Sequence, residues 1–172
     1  MQHNLFHISD EPTIRRFEPR PSELTTAPVV WAVDHERLRN YLLPRNCPRV
    51  TFYAGPMTSA SDVQRFLGTS RAVVAFESAW LDRVRSTRLF CYHLPATGFS
   101  CMDECAGYFV AREPIVPERV EVIEDLLTAL SAREVEVRII PSLWSLHDSV
   151  AESTLRFSMI RMRHAVPRDQ LK

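Results

Sequence analysis

The first residue whose type and place could do chemistry is a histidine at the end of a short apolar run. Leu5, Phe6 and Ile8 make that run, and Ser9-Asp10-Glu11-Pro12 closes it. Proline cannot donate to a sheet ladder, so His7 is expected where the chain leaves a strand. An imidazole there can donate, accept or carry charge near neutral pH. Ser9 or Asp10 is placed to cap a short helical turn that turns Ile14 and Phe17 inward. Glu18-Pro19-Arg20-Pro21 stops that turn, and the two prolines hold Arg20 in extended backbone. A guanidinium stiffened on both sides suits an anion that must be met from one direction.

Two aromatic residues follow, one in a strand and one in the helix after it. Pro28 leads into the apolar run Val29-Val30-Trp31-Ala32-Val33, which reads as a central strand. Asp34 can cap a helix from His35 to Leu43, in which Leu38, Tyr41 and Leu42 share a face and Pro44 is the stop. Strands are then predicted at Arg49–Ala54, Ala72–Phe76, Leu89–Leu94, Gly107–Ala111 and Val135–Ile140, with Val116–Val122 extended. Short helices are expected from Ser61 or Asp62 to Leu67, over Ala79–Arg85 and over Ile123–Arg133. Phe99–Glu104 reads as irregular. The spacing of Leu143, Leu146, Val150, Thr154, Phe157 and Ile160 predicts the longest helix, over Leu143–Arg163. Strands dominate without regular strand–helix alternation, so the fold class is α+β, with a mixed, largely antiparallel split sheet and a few helices.

Composition narrows the function classes. The 172 residues fit a single domain over 1–172. Formal charge is zero, which offers no basic field to nucleic acid and none to an anionic membrane surface. No run reaches the ~18–20 apolar residues of a membrane span. The N-terminal residues do not read as a secretory signal, and the four cysteines contain no CxxC pair; reduced thiols in a cytoplasm are the expectation. Cys101, Cys105 and His93 do not have a zinc-site spacing, so no metal is expected. With four glycines the chain holds neither a P-loop nor a GxGxxG turn.

Together, LFHIS, PVVWAVDHERLRNYLLPR and AGYFVAREPIVP resemble the ADP-ribosyltransferase-like fold. The whole chain also resembles a family of small uncharacterised bacterial proteins, with an HIS…FxPR start, a WAVD helix entry and a PSLW…RMR end. The fold-level resemblance implies NAD as the ligand, with His7 orienting the ribose and the nicotinamide amide, and Trp31 and Tyr41 on either side of the nicotinamide ring. It also implies Glu113 as the carboxylate that stabilises a ribosyl cation. His7, Tyr41 and Glu113 would then be catalytic, and Arg20 or Arg45 would clamp pyrophosphate. The activity implied is cleavage or transfer of ADP-ribose. The alternative is a non-catalytic protein using the same cleft for a phosphate- or carboxylate-bearing ligand, anchored by Arg20, Arg45, Tyr53, His93 and Arg161.

Overall fold

Period-two alternation of apolar residues gives strands, and strands make most of this molecule. The computed structural model describes residues 4–170. In chain order the strands are β1 (Leu5–Ser9), β2 (Arg20–Ser22), β3 (Thr25–Val33), β4 (Arg49–Tyr53), β5 (Ala72–Glu77) and β6 (Leu89–Leu94). Then come β7 (Ser100–Asp103), β8 (Tyr108–Ala111), β9 (Arg119–Ile123), β10 (Val135–Ile140) and β11 (Arg156–Ile160). The α-helices are short: α1 (Ala60–Asp62), α2 (Leu81–Ser86), α3 (Leu126–Ser131) and α4 (Trp144–Ala151). The class is α+β.

The chain forms two compact units, each with its own sheet. The first takes the residues up to Leu42 and Arg88–Glu124; the second takes Leu43–Thr87 and the residues from Asp125 on. The first unit holds a seven-stranded sheet in the order β7-β8-β3-β1-β6-β9, with β2 added to β3. All its pairs are antiparallel. Leu5, Val30, Ala32, Tyr92, Leu94 and Ala111 pack on one of its faces, together with Phe17 and Ile115.

The second unit holds a four-stranded sheet, β10-β5-β4-β11, in which only β10 and β5 run parallel. Val50, Phe52, Val73 and Ala75 pack on one face against Leu143, Val150 and Leu155. Truncating a core aromatic of this kind, such as Phe52→Ala, costs ~3–5 kcal/mol.

Several elements differ from the sequence reading. The stretch Ile14–Phe17 is not helical; Phe17 instead bridges Ile115, exchanging N–H···O bonds of 2.8 and 3.0 Å. Ser100–Asp103 is a strand paired with β8, so the region is not irregular. The long helix Leu143–Arg163 ends at Ala151, and Arg156–Ile160 returns as β11 against β4. Ser153 stops it by turning its hydroxyl back onto the Val150 carbonyl, 2.7 Å away. Thr154 is held from outside the helix, its N–H donating to Asp62 Oδ2 at 2.8 Å.

Candidate functional site

A cavity of about 300 Å³ opens in the first unit where β1 and β3 part. The two strands share one registered pair, Phe6↔Val33. Past that pair the imidazole of His7 takes over from the backbone: its Nδ1 lies 3.0 Å from the Trp31 carbonyl oxygen. A carbonyl only accepts, so Nδ1 carries the proton, and in the neutral ring Nε2 is the acceptor. Phe17 backs the same ring at 4.8 Å and stacks edge-on against Tyr92 at 5.2 Å. A hydrogen bond and an aromatic neighbour thus help to orient His7.

The other wall is aromatic. Trp31 meets Tyr108 edge to face, with centroids 5.6 Å apart. The Tyr108 and Tyr41 hydroxyls are hydrogen-bonded at 3.1 Å. Each ring is placed by its own element. Trp31 alternates with the core residues Val30 and Ala32 on β3, and Tyr108 is registered opposite Val33 on β8. Tyr41 ends a 3-10 turn, Leu38–Tyr41, anchored by the fully buried Leu38 and Leu42. Asp34 makes its capping bond just ahead of that turn, its Oδ1 accepting the Arg37 N–H at 2.7 Å, and Arg37 itself is the residue that precedes the turn. The expected helix His35–Leu43 is therefore this shorter, tighter turn.

Phe6, Ile8, Ser22, Leu24, Ala32 and Val33 complete the lining. Among the described residues that line it, none is Arg, Lys, Asp or Glu. The polar groups offered are an imidazole, an indole N–H, two phenols and one serine hydroxyl.

His7, Trp31 and Tyr41 therefore share one cavity, and the other expected site residues stand elsewhere. Arg20 is exposed on β2, two positions before the lining residue Ser22. Glu113 is exposed in the bend after β8 and is not among the lining residues. Arg45 is exposed in a turn of the second unit, which also holds Tyr53 and Arg161. His93 lies 3.3 Å from the Glu121 carboxylate. Tyr108 was missed by sequence reasoning. Its strand was legible, but its place beside β3 depends on strand order, which local pattern does not carry.

No curated protein and no solved structure matches the chain. A family model described as "Family of unknown function (DUF6886)" matches residues 6–165, a span that includes His7, Trp31, Tyr41 and Tyr108. The chain belongs to that family of unknown function.

Proposed function

We propose that the first unit is a small-molecule binding module whose cavity takes a flat, nitrogen-bearing aromatic ring, and that the nicotinamide of NAD is that ring. The observation that carries this reading is the uncharged lining: aromatic walls from Trp31, Tyr41 and Tyr108, facing an imidazole of fixed tautomer. A bare phosphate or carboxylate would enter that cavity with no cation to meet it, at a large desolvation cost. A cationic pyridinium loses far less and gains ~0.5–2 kcal/mol from the aromatic faces. A volume of about 300 Å³ is at the small end for ligand sites, which suits a ring with the rest of its molecule outside.

Cleavage of ADP-ribose is the finer part of the proposal. The nicotinamide–ribose bond would break with its electron pair leaving on the ring nitrogen. A carboxylate would stabilise the ribosyl cation, and water or another acceptor would add to it with loss of a proton. Glu113 would be that carboxylate, and Arg20, near the cavity in sequence, would meet the pyrophosphate.

Calorimetric titration with NAD, nicotinamide and ADP-ribose tests the binding. NAD is expected to bind saturably, and Trp31→Ala to weaken it about tenfold, the loss of one ring contact. Equal affinity in Trp31→Ala would remove the reading. Release of nicotinamide followed by chromatography tests the cleavage: wild type should release it and Glu113→Gln should not. Release unchanged in Glu113→Gln would remove Glu113 from the reaction while leaving the binding proposal intact.

A further inference from the structure

β9 ends the seven-stranded sheet, with β6 as its one strand neighbour among the described residues. The two pair over consecutive positions, from Leu89↔Ile123 to His93↔Arg119, with no break in register. The other outer strands are blunted. β7 shifts register between Cys101 and Asp103, and β2, three residues long, shifts between Arg20 and Ser22 around Pro21. Bulges, prolines and shortness are the means by which sheets keep outer strands from pairing with other chains. β9 has no bulge, no proline and no lysine within Arg119–Ile123.

Its side chains are open as well. Val120 stands opposite Tyr92 and Val122 opposite Phe90, so both valines share the face on which the core of this unit packs. Tyr92 is buried and Phe90 half-buried against that core, yet Val120 is 45% exposed and Val122 48%. The apolar face thus runs past its cover at the outer strand. A single exposed valine is ordinary, but two on one face of an open, regular strand make a strip that a further strand would continue. On the opposite face stand Arg119 and Glu121, with side chains 63% and 58% exposed. Glu121 lies 3.3 Å from His93 Nε2 and 3.9 Å from Arg119. A carboxylate offers about four acceptor positions, so these two contacts leave it able to take another.

We propose that two copies of the chain pair through this edge, their β9 strands antiparallel about a two-fold axis that passes through Val120. In that register Val120 meets Val120 of the second copy, and Arg119 of each chain stands opposite Glu121 of the other. Val122 of each copy lies diagonal to Val120 of the other, which joins the valines of both chains in one strip. Centring the pair on Glu121 instead would set two carboxylates against each other, so charge selects the register. A second copy fits better than an arbitrary extended peptide because Arg119-Val120-Glu121, read backwards, is its own complement in charge. A two-fold contact closes on itself, so association stops at the dimer. One short strand pair is small beside a standard interface of ~1,600 Å², so dissociation in the micromolar range is expected. The pairing is independent of the aromatic cavity and of its ligand.

Sedimentation equilibrium of the full chain across the micromolar range is the test. Wild type should pass from monomer to dimer as concentration rises, and amide exchange within Arg119–Ile123 should slow as it does. Val120→Lys, which opposes two ammonium groups, should weaken the dimer about tenfold or more. Glu121→Arg and Arg119→Glu should each do the same, because each sets like charges opposite one another twice. Mixed in equal amounts, those two variants should pair with each other about as well as wild type. The double variant Arg119→Glu/Glu121→Arg should pair with itself. These positions are exposed, so urea midpoints should stay near that of wild type, which separates loss of the dimer from loss of the fold. Three results would each overturn the proposal. One is a monomer at every concentration, which would leave the edge to a different chain; another is a dimer that Val120→Lys leaves intact. The third is a pair of single charge variants that do not recover the dimer on mixing.

Discussion

At the scale of single residues, His7 is held by the hydrogen bond from its Nδ1–H to the Trp31 carbonyl. Asparagine can keep a donor near that nitrogen, whereas alanine cannot. His7→Ala should therefore cost ~1–2 kcal/mol in chemical denaturation, with His7→Asn recovering about half. If both variants were as stable as wild type, the bond would contribute nothing to the site's shape. The hydroxyl pair Tyr41–Tyr108 is a second such contact. The thiols give a third check. Burial pushes the Cys47 thiol up to about 12, and Cys91 is also buried, whereas Cys101 and Cys105 are exposed. A maleimide or disulfide reagent added to native protein should label Cys101 and Cys105 and spare the other two until unfolding. Rapid labelling of Cys47 at neutral pH would contradict its burial. Because the folded value lies above the unfolded one of about 8.5, Cys47 contributes stability below pH 8.5 and loses it as pH rises toward 12.

At the scale of elements, the corner between β7 and β8 sets one wall of the cavity. Gly107 has φ +64°, and a Cβ there would come within 2.6 Å of both Asp34 Oδ2 and Arg37 Cγ. Gly107 O accepts the Asp34 N–H at 3.1 Å, and Arg37 Nε donates to the Cys105 carbonyl at 3.1 Å. The corner thus ties the start of the Tyr41 turn to the strand that carries Tyr108. Gly107→Ala should cost ~1–3 kcal/mol from strain and clash, and should weaken ligand binding more than Gly68→Ala, where a Cβ meets nothing. Equal effects at the two glycines, measured by denaturation and calorimetry, would show that the corner does not shape the cavity.

The same scale shows what the sequence made legible. Strands with clean alternation, such as Val135–Ile140 and Leu89–Leu94, read correctly to the residue because burial on one face dictates their pattern. The helix expected over Leu143–Arg163 failed at Ser153-Thr154. There Thr154 was read as part of an apolar stripe, but its backbone and hydroxyl are bound by Asp62 and Ser59, 92 and 95 residues earlier in the chain. A contact of that sequence separation leaves no trace in local periodicity. The candidate site divides the same way. His7, Trp31 and Tyr41 were singled out through the resemblance carried by their segments, whereas Tyr108 required the strand order β8-β3-β1.

At the scale of the whole molecule, formal charge is zero, so pH dependence comes from individual groups and not from a net field. Four carboxyls are held below their ordinary range. Asp148 is lowered most, by its paired bonds to Arg168 and its contact with His147; Glu136 is lowered by Arg138, Asp62 by Thr154 and Asp125 by Thr128. Each folded value lies below the unfolded one of about 4, so each contribution is present above pH 4 and is lost as pH falls through the folded value. Urea midpoints should hold from neutral pH to about 5 and fall below about 4. A midpoint that stayed constant into that acid range would contradict these pairings.

The aromatic cavity of the first unit is the proposed ring-binding site, and the indole N–H of Trp31 reports on it directly. The chain has three tryptophans, so a nitrogen–proton correlation spectrum should hold three indole resonances, and Trp31→Phe assigns the relevant one. Titration with NAD should shift the Trp31 resonance saturably and leave those of Trp80 and Trp144 nearly still. A Trp31 resonance that does not move while NAD binds, or that moves no more than the other two, would contradict the assignment of this cavity as the ring-binding site.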